Sequence, residues 1–188
     1  MSIMNYPYSA IVLDAISAAG FKIEPGLSEP ELSKLEIRFS FQFPPDLRSF
    51  LRSGLPVSKP FPDWRNGTDA ILRRLLQRPI DDLVFDVETN DFWHTGWGPR
   101  PAIGDDAGAI AREMATKAPT LIPVFGHRFL PAEPAQAGNP VFSVSQADVI
   151  IYGDDLASYF AHEFGISQLP MPPTRPRPIT FWSELAQI

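Results

Sequence analysis

The run most suggestive of chemistry is acidic: Asp81, Asp82, Asp86, Glu88 and Asp91, with His94 close behind. Carboxylate oxygens and an imidazole form a donor set for a divalent cation. The spacing argues against one, because neither a calcium-loop pattern nor a His-Glu-x-x-His pair is present. If VFDVE is extended, Asp86 and Glu88 share one face and Phe85 and Val87 the other, as any half-buried strand requires. No metal and no cofactor are therefore expected. Ser143 and Ser145 alternate with Phe142 and Val144, outside any Gly-x-Ser-x-Gly elbow. His127 and His162 become bases only through geometry to a nucleophile, and a hydrogen-bonded structural role is the simpler reading of each. Gly96-x-Gly98 runs into Pro99 without the flanking strand and helix of a dinucleotide loop. The chain is thus expected not to be an enzyme. An activity built on Asp86, Glu88 and His94 is the rival.

Binding is better represented. Trp93, His94, Trp97 and Arg100 fall in one short Gly- and Pro-rich stretch, FWHTGWGPRP. Trp and Arg are enriched at protein-binding hot spots, and Trp combines a large apolar face with one donor that needs a partner. The competing reading is that both tryptophans plug the core. His127 and Arg128 are expected near this loop, giving one polar cleft lined by aromatics. TRPRP (174–178) is a candidate polyproline ligand, although strapping the C-terminal helix onto the body is the simpler role.

The elements that position these residues follow from caps and periodicity. A helix is expected over 9–19, stopped by Gly20. Ser28-Glu29-Pro30-Glu31 is a capping box opening a second helix, with Leu32, Leu35 and Phe39 inward. Pro44-Pro45-Asp46 opens a third, ending at Gly54. Residues 55–66 read as an irregular surface segment. Thr68 or Asp69 caps DAILRRLLQR, with Ile71, Leu72, Leu75 and Leu76 inward, and Pro79 is expected to break it. VFDVE then reads as a strand, and a helix follows over 107–118. The organising stretch is 121–164, where LIPVF and FSVSQADVIIY read as strands with PAEPAQAGNP as the loop between them. Asp154 or Asp155 caps ASYFAHEF, which stops at Gly165. QLPMPPTRPRP is expected to be extended, and Phe181, Trp182 and Leu185 to form a terminal helix that docks on the body.

The totals agree with one α+β domain. A chain of 188 residues with 44% hydrophobic and 20% charged residues can bury a substantial core. Twenty-one prolines exceed the usual ~5% and imply many stiff loops. The absence of cysteine excludes disulfides and thiolate chemistry. The N-terminus lacks a basic leader and Asp14 interrupts its apolar run, so no secretory signal or membrane span is expected, and the cytoplasm is the expected location. A net charge of −6 argues against nucleic acid as a partner and permits a basic one.

Taken in order, GLSEPELSKLEIRFSFQFPPDLRSFLRSG, FDVETNDFWHTGWGPRP, LIPVFGHRFLP and GNPVFSVSQADVIIYGDDLASYFAHEF resemble the SUKH superfamily. That group contains fungal cell-wall assembly regulators and bacterial immunity proteins. The resemblance spans roughly 26–164. It implies a small, largely antiparallel sheet packed with helices and a non-catalytic role in protein binding, with no catalytic residues to carry over. The expected organisation is an N-terminal helical extension (1–25), a SUKH-like domain (26–165), and a Pro-rich tail with a docking helix (166–188). The expected function is toxin neutralisation by direct binding to a cognate toxin domain, with a basic domain as the candidate partner and a regulatory scaffold as the alternative function. Trp93, Trp97 and Arg100 are the expected anchors, and Asp105, Asp106, Asp154 and Asp155 the candidate steering charges or helix caps.

Overall fold

Local capping chemistry sets the opening of the chain. The computed structural model describes residues 7–102, 104–169 and 175–186. Helix α1 (Ser9–Ala18) buries Val12 and Ile16, and strand β1 (Ile23–Glu24) follows. Helix α2 (Glu29–Phe39) begins at the capping box: the Ser28 hydroxyl accepts from the Glu31 amide while the Glu31 carboxylate takes the Ser28 amide at 2.7 Å. Helix α3 (Pro45–Ser53) starts at the Pro-Pro pair. Its Asp46 carboxylate accepts from the Leu47 amide at 3.0 Å and from Gly138 at 2.9 Å, tying α3 to a distant loop. Burial lifts the Asp46 carboxyl above its ordinary range, against the pull of those bonds. Strand β2 (Leu55–Pro56) pairs antiparallel with β1.

Helix α4 (Asp69–Thr89), capped by Thr68, runs straight through Pro79. Neither the expected break at Pro79 nor the expected VFDVE strand is present. Pro79 removes one helical hydrogen bond, yet its ring is buried with Leu72, Leu83, Val84 and Val87 on the packed side of the helix. Burial of that stripe outweighs the local penalty, and the apolar positions from Ile80 to Val87 follow the helical period. Ile71, expected inward, is 52% exposed. A 3-10 turn (Thr95–Trp97) and helix α5 (Gly104–Thr116) follow.

The central sheet is an antiparallel meander of strands β3 (Leu121–Phe125), β4 (Arg128–Pro131), β5 (Val141–Ser145) and β6 (Asp148–Gly153). FSVSQADVIIY, expected as one strand, is a hairpin that reverses at Gln146-Ala147, and RFLP supplies a strand that sequence reading passed over. Helix α6 (Leu156–Phe164) has Asp155 as its cap, in a reciprocal box with Ser158, and ends at Gly165 in the left-handed region. Helix α7 (Trp182–Leu185) is a single turn with Trp182 and Leu185 buried. Among the described residues no helix is long and apolar enough to cross a membrane.

The sheet separates two apolar clusters. One face presents Ile122, Val124, Leu130 and Val141 to α1, α2, α3 and α6. Val12 and Ile16 belong to this cluster, so the N-terminal helix is built into the core. The other face presents Phe129, Phe142, Val144 and Val149 to α4, α5 and α7. The protein is thus an α+β fold with helices on both faces of its main sheet. Residues 170–174 of the Pro-rich tail and the side chains of Asp105 and Asp106 lie outside the described residues.

Two ties, one buried and one at the surface, make measurable claims. Asp86 on α4 accepts the Ala147 amide at 2.7 Å, pinning the β5–β6 turn. Asp86→Ala leaves that amide and the Asn90 side chain without their acceptor and is expected to cost about 1–3 kcal/mol in urea denaturation. Hydrogen bonds from Arg65, then from Ser28, hold the Glu31 carboxyl down to about 2. A depressed folded-state pKa stabilises above the unfolded value and is lost as pH falls toward the folded one. Denaturation measured across the acid range should therefore show a shallower loss of stability for Glu31→Gln than for the unaltered chain between about pH 4.3 and about pH 2.

Candidate functional site

The C-terminal end of α4 launches the aromatic loop. The Asp86 carbonyl accepts from Asn90 at 2.9 Å and from Phe92 at 3.1 Å, turning the chain sharply out of the helix. Asp91 at the turn has φ 59°, a left-handed conformation that Asp tolerates better than most residues. The loop then ties itself together. Trp93 Nε1 donates to the Gly98 carbonyl at 2.8 Å, and the Gly96 amide donates to His94 Nδ1 at 3.2 Å.

Trp97 is the hub of this loop. Its ring lies 5.2 Å from Trp93 and 5.9 Å from Phe92, both edge to face. On its other side Phe181 stacks in parallel at 5.8 Å, an offset geometry favoured by aromatic quadrupoles. Trp93, His94 and Trp97 are all half-buried. Neither simple expectation for the tryptophans holds: they pack on a support at the back and present part of their surface in front.

Arg100 acts differently from an open anchor. Its guanidinium donates to the Val87 carbonyl at 2.8 Å and the Phe92 carbonyl at 3.3 Å, and pairs with Asp91 at 2.7 Å. It satisfies the Val87 carbonyl in the last turn of α4, where helices lack internal donors and favour cations, and the Phe92 carbonyl of the loop beyond. The Asp91 side chain stays 93% exposed, so this ion pair faces solvent at the start of the aromatic loop.

His127 and Arg128 do not complete this site. Arg128 immediately precedes Phe129 and lies on the opposite face of β4, with its guanidinium 3.7 Å over the Tyr152 ring and Nη1 donating to Ser143 at 2.8 Å. Trp97 packs with the cluster on the other face of the sheet. The single cleft expected from sequence is therefore two separate sites, because strand parity sends Arg128 and Phe129 to opposite sides. His127 sits exposed in the β3–β4 turn, where loss of hydration on its inner side, then the Arg128 and Arg78 charges, hold its imidazole below the usual range. His162 packs edge-on to Tyr152 at 4.9 Å.

The proposed enzymatic trio is also dispersed. Asp86 points at the hairpin turn, whereas Glu88 lies over Gly108 on α5. Among the described residues no cluster of three or more His, Asp or Glu is arranged to hold a metal. Asp155 caps α6, and its role is structural.

Sequence reading missed the importance of Phe181 to the site. Its φ of 70° and ψ of −59° form a strained γ-turn, closed by the Trp182 amide on the Thr180 carbonyl at 2.9 Å. The only sequence signal was the adjacent Phe-Trp pair. Comparison of the chain with family models, curated proteins and solved structures finds no match.

The strain at Phe181 separates two effects of its side chain. Phe181→Ala removes the stacked ring and leaves a β-carbon at positive φ, whereas Phe181→Gly removes the same ring and relieves the strain. The glycine variant should be the more stable of the two by about 1 kcal/mol in chemical denaturation. Equal stabilities would show that the γ-turn rearranges once the ring is gone.

Proposed function

We propose that this chain is a non-catalytic protein-binding module that holds a basic partner through the Trp93–Trp97 loop. On this reading it is an immunity protein that neutralises a toxin domain by covering its working surface. The observation that carries the reading is the pair of half-buried tryptophans packed edge to face, with Trp97 stacked on Phe181 and the exposed Arg100–Asp91 ion pair in the same loop. Aromatic anchors held in place before binding lose little conformational freedom when the partner arrives. The net charge of −6 steers a basic partner and raises its association rate. The SUKH resemblance supports the same reading, since protein binding is the role that it implies.

The test is a pull-down from source-cell extract, with the captured protein identified and its affinity measured. One stoichiometric basic toxin domain is the expected result, and a set of unrelated housekeeping proteins would favour a regulatory scaffold. Trp93→Ala leaves the Trp97–Phe181 stack in place and should weaken the captured partner at least tenfold, about 1.4 kcal/mol. Asp91→Asn keeps a residue that accepts positive φ and should slow association and flatten its salt dependence. Unchanged affinity in a folded Trp93→Ala variant would remove the loop from the interface.

A further inference from the structure

The joint between α6 and the sheet contains three buried polar atoms that make no hydrogen bond. Arg128 Nε, Glu163 Oε2 and Tyr159 Oη have essentially no contact with solvent and no hydrogen-bond partner among the described residues. They belong to one cluster. Tyr159 and Glu163 are one turn apart on α6 and project to the same side. Arg128 reaches over from β4, placing Nε 3.5 Å from Glu163 Oε2. Tyr159 is fully buried, and its hydroxyl lies within the fields of both charges.

Native interiors rarely leave such groups unmet, and an ordered water is the usual resolution. The chemistry selects the occupant. Arg128 repels a cation and Glu163 repels an anion, so the ligand must be neutral and dipolar. It must accept from Nε–H, donate to Oε2, and exchange one hydrogen bond with a hydroxyl. Burial, then the Glu163 charge, holds the Tyr159 phenol well above its ordinary value, so its O–H is retained. We propose that Arg128, Tyr159 and Glu163 form a binding site for one internal water, which completes the polar seam between α6 and strand β4. One water in contact with both Nε and Oε2 spans their 3.5 Å separation at ordinary hydrogen-bond lengths. The Tyr152 ring under the guanidinium and the Ser143 hydroxyl on Nη1 hold Arg128 in place around it.

A crystal structure of the full chain at about 1.5 Å resolution tests this directly. The expected result is density for one water within about 3.2 Å of all three atoms. A direct hydrogen bond from Arg128 Nε or from Tyr159 Oη to Glu163 Oε2, with no water among the three side chains, would overturn the proposal. A second measurement is the melting temperature of Tyr159→Phe, which deletes only the hydroxyl. If the water completes that hydroxyl's bonding, the variant should melt about 2–4 °C lower. An unchanged or raised melting temperature means that the hydroxyl is unsatisfied in the native protein, and the proposal fails. The crystallographic result comes from the unaltered chain, so it decides the matter even if the variant does not fold.

Discussion

The buried carboxylate of Asp86 is the constraint on which the second half of the molecule depends. It sits on the packed side of α4 and accepts from the Ala147 amide at 2.7 Å and from Asn90 Nδ2 at 2.5 Å. Its own carbonyl receives Asn90 and Phe92. One residue thus fixes where α4 ends, how the aromatic loop departs, and where the β5–β6 hairpin turns. A buried carboxylate is costly unless its oxygens are met by donors, and here each donor comes from a segment that needs positioning. The same exchange occurs at Asp46, which joins α3 to the loop before β5 through Gly138. Helices and sheet are thereby joined at defined points as well as by apolar packing.

From that end of α4 the aromatic loop is held on two sides. Arg100 closes the carbonyls behind it, and Phe181 supports the Trp97 ring. Phe181 is strained, and strain of this kind persists only where surrounding packing over-determines the residue. Trp182, buried and donating Nε1 to the Pro119 carbonyl at 2.8 Å, supplies that packing. The C-terminal turn therefore functions as part of the loop's foundation. A loop supported in this way can present apolar surface without collapsing onto the body, as a reusable binding surface requires.

Elements governed by local chemistry were legible in the sequence. Ser28 with Glu31, Thr68, and the Asp155-to-Gly165 interval each announce a helix, because their hydrogen bonds close within a few residues. Elements decided at long range were not. Val84, Phe85 and Val87 look like strand residues after a proline, yet α4 continues because its buried stripe has α5 and β3 to pack against. Gln146-Ala147 carries no glycine to mark a turn, and Gln146 takes φ 58° in a hairpin held from outside by Asp86. Missing that turn leaves the organisation of the sheet unread. The site shows the same division: residue types pointed to Trp93 and Trp97, whereas half-burial, the role of Phe181 and the separation of Arg128 depended on tertiary structure.

This division bears on what the SUKH resemblance can say about function. Its most recognisable segment, from the Ser28 capping box through Pro44-Pro45-Asp46-Leu47 to Gly54, builds α2 and α3, which pack against the α6 face of the sheet. The aromatic loop lies with the opposite cluster, on a foundation formed by the end of α4 and the C-terminal turn. The tail lies outside the resemblance altogether. Another resembling block, FDVETNDFWHTGWGPRP, carries the aromatic loop itself, so the resemblance reaches both sides of the sheet. What that block adds to the frame is an aromatic surface built by the end of α4 and the C-terminal turn: Trp93 packs on Trp97, Trp97 stacks on Phe181, and the Arg100–Asp91 ion pair closes the turn between helix and loop.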